Sequence, residues 1–460
     1  MKKRITTLMA TLSVFVMALT GCSKNNEPKE PEDPNFHFQF QAALATDDEN
    51  KPLEFTYDVP YASLSFEKSG TEFSNDLALL SFAFTLSSGE LEVMNEMYNK
   101  YGFDNVVNSA DYEREETVNT VKYTIGHKTI NEVDVIALSI NGIGYKLPWQ
   151  SNITIGKTGN HAGFQSGADI VLSALKQYLA SYSNVETRKV FINGYSRSAA
   201  IGEITALTLV DENLVKEENL YAYLFETPRG VDMANEKEYK SIFNIFNSGD
   251  LVTHVAPEEY NLQRVGVDID IYSENTDEIL KTFNEKLVLK TFTPDEDGNY
   301  TNEAELANYI LGLLTNPVES DDSEEEVRDM STRENFEKYY QEYITYLVGL
   351  AFTLKQETLD DIKAEFDKLG MWDKMAFLME DGIYNFLKPI LDKHNQQYEE
   401  LMLKDSLNRL LDLIKIAPAA LALALSETAQ ESVMRTVQLH SPEVVFPLLL
   451  EYFKTPVTQN

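Results

Sequence analysis

Val190-Phe191-Ile192-Asn193-Gly194-Tyr195-Ser196-Arg197-Ser198-Ala199-Ala200 opens as an apolar run with the look of a buried strand, meets Gly194, and continues through small, helix-compatible residues to Ala206. Strand, sharp turn with a serine at its tip, then helix is the context a nucleophile elbow needs. The turn holds the serine in a strained conformation, and small residues two before and two after it keep strand and helix from colliding. Gly194 meets the first requirement, and Ser198 stands where the usual second glycine would be, so the match is partial. An ordinary strand-turn-helix reads the same way in outline, so the rest of the chain must decide.

Around this segment the strand signals alternate with helical ones. Residues 133–140 form a near-continuous apolar run, as expected of a strand buried on both faces, and end at Asn141-Gly142-Ile143-Gly144. His161-Ala162-Gly163-Phe164 opens a helical pattern through about Tyr182, with Ile170, Val171, Ala174, Leu175, Tyr178 and Leu179 three and four apart. A helix over 198–210 and strands over 220–225 and 242–246 follow. This alternation is the signature of a parallel sheet with helices on both faces. Upstream, 36–57 reads as one or two edge strands, 75–86 and 91–101 as helices, and 118–125 as a β-branched strand signal.

Beyond Asp270 the texture changes. Residues 274–434 are rich in Leu, Glu, Lys and Met at helical spacing, with an acidic break at 319–326. Helices are expected over 336–354, 359–369, 371–387, 398–414 and 419–433. Met371, Trp372, Met375, Phe377, Leu378 and Met379 form a soft apolar cluster, read as core rather than as a substrate groove. Residues 437–453 return to the mixed texture.

The 460-residue chain carries 39 basic and 74 acidic side chains, a formal charge of −35. Such a surface is a poor partner for nucleic acid and for bare anionic lipid headgroups. Lys2, Lys3 and Arg4, then an apolar run to Leu19, make 1–21 a targeting segment, too short for a comfortable membrane span. Removing its three cations leaves 36 basic residues against 74 acidic ones, a net −38. Leu19-Thr20-Gly21-Cys22 resembles a bacterial lipobox, in which the signal is cut before a cysteine that then carries a diacylglyceryl group. Cys22 is the sole cysteine, so no disulfide within the chain is possible. Two or more acyl chains on it would anchor the protein stably. Residues 22–35, with Pro28, Pro31 and Pro34, read as a flexible tether from lipid to folded domain.

A nucleophilic serine needs a base and an acid. The elbow resembles that of the α/β-hydrolases, in which base and acid sit on loops at the carboxyl ends of strands, in the chain order serine, acid, histidine. Of the six histidines, His37, His127 and His161 precede Ser196, and His394 lies in the helical stretch, which leaves His254 and His440. Asn247-Ser248-Gly249-Asp250 leaves the strand over 242–246 through turn residues, so Asp250 sits where a triad acid belongs. A turn aspartate that caps its own loop has the same sequence appearance.

These residues together resemble the class 3 lipases, particularly their bacterial relatives. The run 133–140 with Asn141-Gly142-Ile143 resembles the strand and R-G-T turn that supply half of an oxyanion hole; Trp149 follows at a familiar distance. His161-Ala162-Gly163-Phe164 resembles the family's H-x-G-F, and Phe225-Glu226-Thr227-Pro228-Arg229 its F-x-x-P-R. Asn247 to Val252 resembles N-x-x-D-x-V, and His440-Ser441-Pro442-Glu443 the late histidine segment. The resemblance spans roughly 75–264 plus 437–453. It implies an α/β-hydrolase fold with a mostly parallel central sheet and a large helical cap insertion. It also implies a serine esterase or lipase with Ser196 as nucleophile, Asp250 as acid and His440, rather than His254, as base. The backbone N–H groups of Ile143 and Arg197 would hold the oxyanion. No metal or cofactor is implied, and no metal-ligand spacing stands out. Three departures are visible: Ser198 for glycine, Asn141 for arginine, and Ile143 for a hydroxyl residue.

The expected organisation is a lipoprotein signal peptide over 1–21, a tether over 22–35, the first part of the hydrolase core over 36–272, a helical cap over 273–434 and the last part of the core over 435–460. The expected protein sits in the bacterial cell envelope, anchored through Cys22 to the outer side of the membrane, with an ester or lipid substrate. The competing reading is a surface lipoprotein that binds a ligand on a catalytically degenerate hydrolase scaffold, to which the changes at Asn141, Ile143 and Ser198 give weight.

Overall fold

The computed structural model of the chain describes residues 35–46, 52–60, 66–143, 147–182, 184–256, 260–272, 332–370, 376–379, 381–416 and 439–454. The targeting segment, Cys22, the acidic break at 319–326 and the helix expected over 419–433 lie outside the described residues.

The described chain begins with an antiparallel strand pair, β1 (Asn35–Thr46) and β2 (Pro52–Pro60). Two helices follow, α1 (Asn75–Ser87) and α2 (Leu91–Lys100). Then come β3 (Asp104–Asn108), β4 (Tyr123–Ile130) and β5 (Val133–Ile140). The alternating part consists of α3 (Ala162–Leu179), β6 (Lys189–Tyr195), α4 (Arg197–Asp211) and β7 (Leu220–Phe225). It ends with β8 (Val231–Asp232), β9 (Ile242–Phe246), β10 (Leu262–Gln263) and β11 (Val267–Asp270). Seven of these strands make the central sheet, in the order β11-β9-β7-β6-β5-β4-β3. Pairing is parallel from β5 to β11 and antiparallel at β3–β4 and β4–β5, a mostly parallel sheet.

Each inner strand divides its side chains between two cores, because successive residues point to opposite faces. Phe191, Tyr223 and Ile245 enter one core with α1 and α2. Val190, Ile192, Leu224 and Ile242 enter the other with α3 and α4. With both faces covered, the strands read as continuous apolar runs, and β5, β7 and β9 have the bounds expected from sequence.

Other expectations shift. The strand signal over 118–125 becomes β4 at Tyr123–Ile130. Residues before it are held as a turn: the Thr120 N–H donates to the Thr117 carbonyl, and the Val121 N–H to the Asp111 carboxylate at 3.0 Å. The edge strand β3 carries no apolar pattern, which is why periodicity misses it.

The helical stretch contains α5 (Arg333–Tyr339), α6 (Gln341–Thr353), α7 (Gln356–Asp367), α8 (Gly382–Lys393) and α9 (Glu400–Ile416). The single helix expected over 336–354 breaks at Tyr340, whose φ of −127° leaves the helical range. Of the helix expected over 371–387, the described residues form a short 3-10 helix at Ala376–Leu378 and then α8 from Gly382, which follows Asp381 in the left-handed region at φ 61°. Of the soft cluster, Met371, Trp372 and Met375 lie outside the described residues; Phe377 stacks on Phe366 and meets Phe386 at a tilt, whereas Met379 is 66% exposed and so is not core. The stretch has its own small core, with Tyr384, Leu391, Leu403 and Leu407 at its centre. It is attached to the sheet domain by Phe336 and Tyr340, which pack on Ile155, Tyr260 and Leu262. Arg333 adds three hydrogen bonds, to the carbonyls of Ile155, Gly156 and Gly159 at 2.8, 2.7 and 2.9 Å. The last helix, α10 (Pro442–Lys454), returns to the first core through Val444, Val445, Phe446, Leu448 and Leu449. Among the described residues no helix is long and apolar enough to cross a membrane.

Candidate active site

The register of the parallel strands sets the site. Tyr195 on β6 pairs with Phe225 on β7, and Phe225 with Ile245 on β9. The residues that leave these strands, Ser196, Glu226 and Asn247, therefore emerge side by side at the carboxyl edge. Main-chain bonds extend the ladder by one step: the Ser196 N–H donates to the Phe225 carbonyl at 2.8 Å, and the Glu226 N–H to the Ile245 carbonyl at 3.0 Å.

At the end of β6 the chain turns into α4 with Ser196 at φ 56° and ψ −128°, a conformation that L residues rarely adopt. A β-carbon at position 194 would lie 2.5 Å from the Ser198 carbonyl oxygen, so only glycine fits. Ser198, at the place of the second elbow glycine, has an additional function. Its hydroxyl accepts the Tyr195 N–H and donates to the Tyr195 carbonyl, both at 2.9 Å, bracing the turn from inside. Gly142 presses on the same turn: a β-carbon there would lie 2.0 Å from the Tyr195 carbonyl oxygen.

Ser196, His440 and Asp250 meet in one hydrogen-bonded chain. Ser196 Oγ lies 2.8 Å from His440 Nε2, and His440 Nδ1 lies 2.5 Å from Asp250 Oδ2. Asp250 is fully buried, and its Oδ1 accepts the Val252 N–H at 2.8 Å. It is thus both a cap for its own turn and a partner of the imidazole. With Asp250 ionised, Nδ1 carries the ring proton and Nε2 is left to accept from the serine hydroxyl. The Tyr195 phenol donates to the His440 carbonyl at 2.7 Å, tying the histidine segment to the elbow. Phe82 of α1 packs on β6, β7 and α10, with ring centroids 6.2 Å from Tyr195, 5.0 Å from Phe225 and 5.7 Å from Phe446.

The two expected oxyanion donors differ in their surroundings. Arg197 opens α4, and its N–H, at the first helical position, lies ahead of the helix's own hydrogen-bond ladder, which begins with the N–H groups of Ala199 and Ala200 on the Ser196 carbonyl. Its buried guanidinium donates from Nε to Ser151 Oγ at 2.6 Å. The Ile143 N–H, in contrast, donates to the side chain of Asn141 at 2.8 Å. The expectation that this N–H faces an oxyanion does not describe the present conformation: the asparagine that replaces the family's arginine bends back and takes the donor for itself.

Four other histidines have partners of their own. His254 is buried and bonds the Ser248 carbonyl at 2.8 Å, and burial lowers its pKa. His161 stacks on Phe164, and burial pushes it down to about 3. His127 bridges Asp104 and Asp134 at 2.8 and 2.9 Å, and His394 pairs with Asp361 at 2.8 Å.

One participant was not singled out from the sequence. Glu226, fully buried at φ 48°, accepts the Asn247 N–H on both carboxyl oxygens at 3.1 Å. Burial, and then the neighbouring charge of Asp250, holds its carboxyl well above the usual range. Polar atoms of Glu226, Asp250 and His440 lie within 4.8 Å of one another. The signal available was an acid directly after a buried strand, at the open position of the F-x-x-P-R resemblance.

Residues 140–260 match the model of the lipase (class 3) family. The chain is a lipase-like α/β-hydrolase. It is a serine hydrolase of carboxylic esters, and the matched segment holds Ser196, Glu226 and Asp250, while His440 lies outside it. Among solved structures, the lipase-like chain is similar to the triacylglyceride lipase of Rhizomucor miehei, at 18% identity over 44% of this chain and 83% of that one, with a TM-score of 0.34. It is also similar to a lipase from Rhizopus microsporus var. chinensis, at 16% identity over 43% and 75%, with a TM-score of 0.32. Lipase II from Rhizopus niveus matches at 16% identity over 45% and 79%, with a TM-score of 0.31. No curated protein matches the lipase-like chain.

Proposed function

We propose that this protein is a lipase or esterase, anchored by a lipid on Cys22 to the outer side of the membrane in a bacterial cell envelope, that cleaves carboxylic esters through an acyl-enzyme. The observation that carries the chemistry is the chain from Ser196 Oγ to His440 at 2.8 Å and from His440 to Asp250 at 2.5 Å. His440 takes the serine proton as Oγ attacks the ester carbonyl; Asp250 holds the ring and stabilises its charged form. The Arg197 N–H, at the positive end of α4, serves the oxyanion. The Ile143 N–H joins it once the bond to Asn141 opens; one such donor is worth about 10²–10³ in rate. The protonated imidazole then gives its proton to the leaving alkoxide, the alcohol departs, and water repeats the sequence on the acyl-enzyme. The helical stretch, 273–434, acts as a cap that selects the acyl or alcohol group.

The test is labelling with a fluorophosphonate probe, alongside hydrolysis of nitrophenyl esters of increasing chain length. Wild type is expected to label, and Ser196→Ala to lose labelling and at least about 10⁴-fold in kcat. A folded wild type that stays unlabelled would transfer the weight to the binding-lipoprotein reading, which the engaged Ile143 N–H favours. The anchor is tested separately, by acyl labelling of wild type and of Cys22→Ala in a bacterial host.

A further inference from the structure

We propose that Glu226 is a positioning residue for the triad, a neutral carboxylic acid whose O–H donates to the Asp250 carboxylate and holds it against His440. The proposal rests on the assignment of Ser196, His440 and Asp250 made above. Two carboxyl groups with polar atoms within 4.8 Å of each other, both fully buried, cannot both ionise at neutral pH. The question is which keeps the proton, and the donors decide it. Asp250 receives the Val252 N–H and faces the His440 Nδ1–H; Glu226 receives one N–H, that of Asn247, shared between its two oxygens. The better-solvated charge is that of Asp250, so the proton stays on Glu226 and is available to its neighbour.

The remaining charged groups around Glu226 favour the same state. Asp270, at the end of β11, adds a further negative field. Arg264, whose guanidinium donates to the carbonyls of Thr227 and Thr253, is ion-paired with Asp268. The upward direction of the Glu226 pKa agrees. Position 226 is also costly for its occupant. A residue at φ 48° there would be cheapest as glycine, and full burial of an acid adds desolvation. Strain and burial together, beside a catalytic carboxylate, point to an effect of this residue on that carboxylate.

The consequence is a limit on the alkaline side. When Glu226 loses its proton, the hydrogen bond to Asp250 is replaced by repulsion between two buried anions, and the orientation of His440 is lost. The experiment compares wild type, Glu226→Gln and Glu226→Leu in the full chain, by hydrolysis of a short nitrophenyl ester and by fluorophosphonate inactivation, from about pH 5 to about pH 10. Wild type is expected to lose kcat through an alkaline inflection that E226Q lacks, since the amide donates at every pH. E226L is expected to lose about tenfold or more in kcat with KM little changed, and E226Q to recover most of that loss. An active wild type whose alkaline inflection persists in E226Q overturns the proposal, as does a folded E226L with the wild-type kcat and profile. If E226L does not fold, the E226Q profile decides. An inert wild type is a different failure, that of the triad assignment itself.

Discussion

Asn141 is the residue at which the lipase-like site most directly limits itself. Its side chain accepts the Ile143 N–H at 2.8 Å, while its own N–H donates to the Lys122 carbonyl at 2.9 Å and fixes the start of the turn. If the Ile143 N–H serves the oxyanion, every turnover must first release it from Asn141. A hydrogen bond of this kind is worth about 0.5–1.5 kcal/mol net, so removing the competing acceptor lowers the barrier by that amount. Asn141→Ala is therefore expected to raise kcat/KM about 2- to 12-fold, through kcat, on a short soluble ester. The main-chain bond to Lys122 survives the change, and Gly142 still seats the turn against Tyr195, so the loop keeps its place. The assay is steady-state hydrolysis beside the rate of fluorophosphonate inactivation, which should rise in parallel. A folded N141A with unchanged or lower kcat would show either that the Ile143 N–H is not used or that the Asn141 side chain assists the reaction directly.

Other perturbations test the supports around the site. Tyr195→Phe removes the phenol bond to the His440 carbonyl, worth about 1 kcal/mol, and should lower kcat about fivefold with little change in melting temperature. Arg333→Ala removes three bonds to the carbonyls of 155, 156 and 159, about 3 kcal/mol or more in local stability; hydrogen exchange in α5 and α6 should quicken while that of the sheet does not. Glu203, buried on α4 and pushed up to about 8 by desolvation, stays protonated in the folded chain while the unfolded chain ionises near 4.5. This proton linkage therefore costs nothing below pH 4.5, and stability is lost as pH rises from there to about 8, by up to about 5 kcal/mol. Glu203→Gln should be the more stable form at pH 8 and show a flatter stability profile between those limits, measured by urea unfolding at several pH values.

How much of this molecule is legible in its sequence depends on how local the cause is. The strands at 133–140, 220–225 and 242–246 can be read directly because both faces are covered, and the elbow because Gly194 and the small residues after Ser196 leave a trace in neighbouring positions. Asp250 could be read as a turn cap or as a triad acid, and it is placed to be both, since each of its oxygens faces a different partner. The edge strand β3, the break at Tyr340 and the left-handed Asp381 ahead of α8 leave no apolar period and escape such a reading.

The site divides the same way. Order along the chain and a family likeness are enough to nominate Ser196, Asp250 and His440, because each sits in a short motif. That the Asn141 side chain occupies the Ile143 N–H, that Tyr195 ties down His440, and that Glu226 lies against Asp250 could not be known without coordinates. Hydrophobic period and turn chemistry are properties of adjacent residues, whereas these contacts exist because the parallel register of β6, β7 and β9 brings distant segments to one edge, where each polar group must find whatever partner the packing leaves beside it.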